Sequence, residues 1–389
     1  MLLKENIQIK PFDVKRWVLQ VDESRHFLIN HATSDLVRIL SSASSLAEAH
    51  LAFNTFFNYS ISYKAFTDLV DKKLGGYHIV EEDTMAVKPV NQNTYLKLKL
   101  PILSAPLAKF LSIPIQPFYN PRIFWFSIGG ISMFLFSVVL GLKMPTLQRI
   151  NYVTLMCLIY PTMLIHELGH IAACAKCKLK HGGIGFGFYF VLPVMYAEIT
   201  NIWMGNKEQR IIANLGGIFA ELLYAAILSI IYLLSHSEVF LFASISISSF
   251  VLWEFNPFVR FDGYWLLSDL TNTPNLLLKS KRILLQAFRK TTLKTWKANQ
   301  FKINASSREV LLFTYGFINT FFIILLLAYT FITYQQEIIK FPISLYQILL
   351  KIGRWDLHWQ DVSGSLLTIL LFYVLAFRFI INQYKSLVR

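Results

Sequence analysis

The amino-acid pattern predicts a mostly α-helical, polytopic membrane bundle of about six spans, preceded by a small N-terminal winged-helix-like α+β domain. Three observations predict it. The 389 residues are 54% hydrophobic and only 15% charged, with a mean hydropathy of +0.47, against about 25% charged residues in an ordinary soluble domain. Several uncharged runs are long enough to cross a hydrocarbon core of about 30 Å. A polar pattern of short strands followed by helices is confined to residues 1–85.

This composition excludes a disordered or purely aqueous protein. The net charge of +14 sits in the gaps between apolar runs and reads as loops facing a cytoplasm, so no nucleic-acid partner is expected. Three cysteines, Cys157, Cys174 and Cys177, are an odd number and argue against an exported, bridge-stapled fold. The opening Met-Leu-Leu-Lys-Glu-Asn runs directly into charged sequence, so no cleavable signal peptide is expected.

Within residues 1–85, Trp-Val-Leu-Gln-Val (17–21) and His-Phe-Leu-Ile-Asn (26–30) flank a polar break, which is a hairpin signal. Leu36, Ile39 and Leu40 recur at helical spacing. Ser45 and Glu48 form a capping-box pattern, and an amphipathic stretch over 63–74 stops at Gly75-Gly76. The order strand, strand, helix, helix, helix suits a winged-helix module. These anchors, with the Phe66-x-x-Leu69 helix, resemble the PqqD-like leader-recognition domain of ribosomal peptide maturation systems. The resemblance implies that the exposed edge of the hairpin takes up a leader peptide as an added strand.

Residues 86–119 read as a linker, and a membrane core is expected over 120–275. Candidate spans are 122–143, 150–175, 211–235, 239–261, 310–334 and 364–383. Residues 276–309 carry nine Lys/Arg against one Glu and read as a basic cytoplasmic loop facing anionic lipid headgroups, followed by two further spans within 310–389. Counting spans back from that loop places the N-terminal domain on the cytoplasmic side, with 335–361 outside.

The chemistry concentrates in the second span, at His166-Glu167-Leu168-Gly169-His170. On a helix, His166 and His170 lie one turn apart on one face, so both imidazoles can reach one metal. Glu167 adjoins the first ligand, where a carboxylate can act as general base. Ionisable groups inside a span cost about 2.5–3.5 kcal/mol each for a central charge on insertion scales, so they need a metal, a proton path or a partner. A hydrolytic zinc needs a third protein ligand and an open position. Asp262, in Asn-Pro-Phe-Val-Arg-Phe-Asp-Gly (256–263), is the candidate, because it ends the fourth span on the same membrane side as the two histidines. Pro257 interrupts helical hydrogen bonding, and Gly263 permits a sharp turn.

These residues resemble the site-2 protease family of intramembrane zinc metallopeptidases, with His166, Glu167 and His170 in the HExxH and Asp262-Gly263 following Pro257 by five residues. One departure stands out: where the family usually has Asn, three residues before that proline, this chain has Glu254, and Asn256 offers a neighbouring substitute. Over most of 10–275 the chain resembles peptide zinc metalloproteases of modified-peptide or bacteriocin pathways. The resemblance implies one Zn²⁺ per chain and an endopeptidase acting on a peptide substrate in the maturation of a bacteriocin-like ribosomal peptide. Two alternatives stay open: a membrane peptide export or immunity component that does not cut, and a protease that clips a membrane-anchored regulator. Nothing in the pattern specifies an oligomeric state.

The glycine-rich run over 182–193 reads either as a re-entrant hairpin able to hold an extended substrate or as a packing loop. Cys174 and Cys177 read as buried or membrane-edge thiols, and His181 as interfacial. Glu221, inside the third span, should face the bundle interior as a protonated group, a paired group or part of a proton supply. Asn214 with Gly216-Gly217 reads as close helix packing.

Overall fold

The structure, a computed structural model, describes residues 7–21, 25–77, 79, 96–141, 150–189, 192–290, 307–353 and 365–388. The apolar runs near the N-terminus form an antiparallel sheet of β1 (Gln8–Pro11), β2 (Arg16–Val21) and β3 (Arg25–Asn30), in that order. Trp17 stands opposite Ile29 and Leu19 opposite Phe27. β1 extends the expected hairpin; four residues, half of them polar, are too short a run to declare a strand alone. Asp13 closes the β1–β2 turn by accepting from the Lys15 and Arg16 amides at 3.0 and 2.8 Å and pairing with the Arg16 guanidinium.

Three helices follow: α1 (His31–Ser42), α2 (Leu46–Phe57) and α3 (Tyr63–Leu74). Each begins on a side-chain oxygen, of Asn30, Ser45 and Ser62 in turn, that accepts a first-turn amide. The capping box at α2 is shifted by one residue. Ser45 accepts from Glu48, but the Glu48 carboxylate reaches back to the Ser44 amide at 2.8 Å. Leu36, Leu40, Phe53, Phe66 and Val70 close over the sheet with Leu19 and Val21.

The described part of 86–119 is folded rather than a plain linker. It holds β4 (Leu96–Leu103), α4 (Ala105–Ser112) and a 3₁₀ turn at Gln116–Tyr119. Tyr119, fully buried, donates its hydroxyl to the Gly216 carbonyl at 2.7 Å. Then come α5 (Pro121–Gly141), α6 (Tyr152–Ile159) and α7 (Pro161–Lys176), the last two separated at Tyr160 by Pro161. β5 (Ile184–Tyr189) and β6 (Leu192–Ala197) occupy the glycine-rich run and join β4 in a second sheet of order β4-β5-β6. Next are a 3₁₀ turn at Thr200–Met204, α8 (Lys207–Asn214), α9 (Gly216–Ser235), α10 (Glu238–Glu254) and α11 (Asp262–Leu270). The chain continues through α12 (Leu276–Lys290), α13 (Ser307–Thr333), α14 (Gln335–Gly353) and α15 (Leu366–Val388).

Against the six spans expected, four stretches among the described residues are long and apolar enough to cross a membrane: Pro121–Gly141, Tyr152–Lys176, Gly216–Ser235 and Ser307–Thr333. The expected span over 211–235 begins only at Gly216, since α8 is a separate polar helix. The one over 239–261 stops at Glu254 after 17 residues, about 25 Å of helix, because the chain turns irregular around Pro257. In the last expected span the apolar helical part is Thr368–Ile381. Hydropathy runs through such turns without registering them. The basic stretch 276–309 opens as the amphipathic α12 instead of a loop, and 291–306 lie outside the described residues.

The chain divides into two compact units: Met1–Thr94, Lys99–Phe186 and Met195–Asn272 in the first, and Tyr95–Leu98, Gly187–Val194 and Thr273–Arg389 in the second. In the second, Gly316 of α13 lies against Ser280 of α12, and Ile338, Phe341 and Ile369 form a small core. In the first, α9 is the central element, packed by α5, α7 and α10. Ser244 on α10 donates to the Ala225 carbonyl at 2.8 Å and stands 2.8 Å from Ser229 Oγ, so polar contacts join α9 and α10. α7 and α9 meet glycine to glycine. A Cβ placed on Gly169 would lie 2.2 Å from the Gly216 carbonyl oxygen.

A buried polar clamp holds α8 to α11. Arg210, fully buried, donates through Nε to Asp269 Oδ1 at 2.6 Å and through Nη1 to the Gly205 carbonyl at 3.0 Å. Asn214 donates to the other Asp269 oxygen at 2.7 Å. Burial pushes the Asp269 carboxyl above its usual range, against the pull of the Arg210 charge and these two donors. The N-terminal sheet leans on the same clamp. The Phe12 ring lies 4.2 Å from the Arg210 guanidinium and stacks on Trp203, and Arg16 donates to the Asn272 carbonyl at 2.7 Å.

Two expectations follow. Gly169→Ala should lower stability by about 1–3 kcal/mol or more through overpacking, whereas Gly129→Ala on α5, with nothing within 4 Å of its Cβ, should not. Thermal melting in detergent distinguishes them. Asp269→Ala strands the Arg210 charge and should cost about 3–5 kcal/mol in the same measurement.

Candidate metal centre

The chain brings together, from separate helices, the residues that the sequence singles out. His166 and His170 project from the same face of α7, and Asp262 is the first residue of α11. His166 Nε2 stands 3.1 Å from His170 Nε2, and each of these nitrogens stands 3.2 Å from Asp262 Oδ2. The triangle is nearly equilateral. Ligand atoms on a tetrahedral zinc, with bonds of about 2.0–2.1 Å, stand about 3.3 Å apart, so its edges have the length a shared ion requires.

The donor chemistry fits as well. His170 Nδ1 lies 2.7 Å from the Ala213 carbonyl. A carbonyl only accepts, so Nδ1 carries the hydrogen and Nε2 turns a lone pair into the triangle. Asp262 Oδ2 is buried and has no hydrogen-bond partner despite its two close neighbours. A lone pair of His170 and a buried carboxylate oxygen thus converge with the His166 Nε2, a donor set that a cation between them would stabilise. The three atoms are one of two groups among the described residues able to hold a metal; the other is His166, Glu221 and Glu254.

Local backbone explains how a carboxylate reaches the α7 pair. α10 ends at Glu254, and 255–261 are irregular up to Asp262. Asn256, considered from sequence as a neighbouring substitute for the family's asparagine, spends its side-chain oxygen on a local turn, accepting from the Phe258 amide at 2.9 Å. Gly263 serves close approach rather than a special backbone angle. Its φ is not positive, and a Cβ there would lie 2.2 Å from the Phe255 carbonyl oxygen. The His166 ring lies against Gly217 of α9, where a Cβ would be 2.4 Å from Nε2.

Glu167 is buried beside the triangle, near enough for its charge to act on His166, His170 and Asp262. Cys174 is buried but belongs to neither metal-capable group, and His181 Nδ1 lies 2.9 Å from the Gly182 carbonyl instead. Behind the triangle, His166 Nδ1 stands 3.4 Å from Glu254 Oε2 and 3.6 Å from Glu221 Oε1. Sequence reasoning missed the support that α8 supplies. Ala213 holds His170 through its carbonyl, while Arg210 and Asn214 hold the helix that begins with Asp262. The only sequence signal was Asp269 standing seven residues, two helical turns, after Asp262.

No family model matches this chain, and no solved structure matches it. It is similar to a curated protein of Bacillus subtilis (strain 168) named "Putative peptide zinc metalloprotease protein YydH", with 25% identity over 201 residues, covering 49% of this chain and 79% of that protein. That likeness supports a metalloprotease role.

Proposed function

We propose that the chain is a membrane-embedded zinc endopeptidase of the site-2 protease type, with His166, His170 and Asp262 as the zinc ligands and Glu167 as the general base. The observation that carries this reading is the triangle of Nε2, Nε2 and Oδ2 atoms with edges of 3.1–3.2 Å. The named relative and the four membrane-length apolar helices support it.

Zinc, when bound, supplies a Lewis acid that polarises a carbonyl and lowers the pKa of water. The chain's own residues do the rest. His170, hydrogen-bonded behind by Ala213, keeps one tautomer, and Asp262 adds the negative charge that two neutral imidazoles lack. Glu167 takes a proton from the attacking water on its carboxylate and returns it to the leaving amine. Glu167 and His170 are buried, which restricts the access of bulk water to the reacting groups.

The substrate is a peptide, in this reading a ribosomally made precursor whose leader pairs with the N-terminal sheet. β3 is the strand suited to that pairing. In the order β1-β2-β3 it is an edge strand that follows the hairpin turn. Taking α10, at 17 residues, as a crossing alongside the three membrane-length stretches before it, the basic stretch 276–309 supports an orientation with the N-terminal domain and metal centre toward the cytoplasm.

Purified protein should carry one zinc per chain, and chelation should abolish cleavage of a leader-bearing peptide until zinc is restored. Glu167→Gln should keep its zinc, measured by elemental mass spectrometry, while cleavage falls by about 10²–10⁴-fold. Asp262→Ala should lose both zinc and cleavage. Zinc-free wild-type protein, or full cleavage by Glu167→Gln, would overturn the reading.

A further inference from the structure

Three buried polar atoms behind the metal centre have no hydrogen-bond partner: His166 Nδ1, Glu221 Oε2 and Glu254 Oε2. The zinc mechanism uses none of them. Glu221 comes from α9, one turn beyond the glycine on which the His166 ring rests, and Glu254 is the last residue of α10. One atom each from His166, Glu221 and Glu254 fall within 4.8 Å of one another. Two carboxylates from two helices therefore face one ring nitrogen of a ligand on a third.

We propose that Glu254 and Glu221 are positioning residues that hold the His166 Nδ1–H, so that Nε2 is presented to the metal. This rests on the zinc reading above. An imidazole whose Nδ1 faces carboxylates carries its hydrogen on Nδ1, which leaves the Nε2 lone pair for coordination and makes it a stronger donor. The present separations, 3.4 Å to Glu254 and 3.6 Å to Glu221, exceed a good hydrogen bond by a few tenths of an ångström. A small rotation of either carboxylate closes them. The ring itself has little freedom, because the Gly217 backbone lies against it.

The geometry also gives Glu254 a role at the position where the resembled family has asparagine. The Glu254 side chain is 25% exposed, yet its buried oxygen is the one facing the ring. Glu254 thus turns toward the back of a ligand instead of out toward a substrate backbone. The two histidines are held differently: His170 by a neutral carbonyl, His166 by acidic groups. A second metal ion bound by His166, Glu221 and Glu254 would require His166 Nδ1 to give up its hydrogen and the ring to bridge two ions, so the same residues make a different prediction under that occupant.

The test uses full-length protein in detergent micelles, with zinc affinity from chelator competition and the absorption spectrum of the cobalt-substituted form. The Glu221→Ala/Glu254→Ala double variant should bind zinc about 10–100-fold more weakly and show an altered cobalt spectrum. Glu221→Gln and Glu254→Gln keep an amide oxygen as acceptor and should restore most of the affinity. Glu254→Ala alone, at the more exposed carboxylate, keeps the test open if the double variant does not fold. Unchanged affinity and spectrum in the alanine variants would refute the positioning role while leaving the zinc reading intact. Two zinc ions per wild-type chain, one lost in the double variant, would replace it with a second metal site. Wild-type protein without zinc would remove the zinc reading and this proposal together.

Discussion

Asp262 and the two imidazoles it meets impose the constraint on which the rest of this protein is organised. A carboxylate oxygen without a hydrogen-bond partner is buried 3.2 Å from each of two ring nitrogens. Its solvation has been given up, and a cation at the centre of the triangle would return it. Glu167, Glu221 and Glu254 add three more acidic groups to the same region. So many acidic groups in an apolar bundle set requirements for the helices around them: they must approach closely, hold their polar atoms in fixed directions, and exclude lipid.

Close approach comes from small residues. α7 and α9 touch through Gly169 and Gly216, the His166 ring lies on Gly217, and the start of α11 lies on the Phe255 backbone because Gly263 has no side chain. In a membrane, where lipid tails are as apolar as leucine, such contacts hold helices together through packing and polar bonds. The serine contacts between α9 and α10 serve the same purpose farther from the metal centre.

Fixed direction comes from α8, a polar helix of eight residues between apolar neighbours. Its Ala213 carbonyl orients His170, and its Arg210 and Asn214 clamp Asp269, two turns along the helix that Asp262 begins. Candidate ligands far apart in sequence are thereby referred to one short element. The Phe12 ring on Arg210 carries that frame into the N-terminal sheet, so the small domain and the metal centre share a support.

Sequence alone was enough for the metal-centre candidates. His166, Glu167 and His170 share a helix, and their spacing is local information that a 3.6-residue period converts directly into geometry. Asp262 was legible because Pro257 and Gly263 mark an interruption at the end of an apolar run. The helices of the N-terminal domain were legible from their caps and apolar periods. Span limits were not, because hydropathy averages over the turns at Leu215 and Pro257, where backbone hydrogen bonding changes but apolarity does not. The partners of Glu221 and Glu254, the clamp at Asp269 and the use of Ala213 were also beyond reach. Each joins residues 43 to 88 positions apart, and only packing decides which distant groups share a buried space. Local spacing pointed to the two histidines and Glu167, and the interruption at Pro257 and Gly263 pointed to Asp262. The tertiary structure decided what stands behind them, because burial forces every polar atom to find whatever partner the neighbouring helix presents.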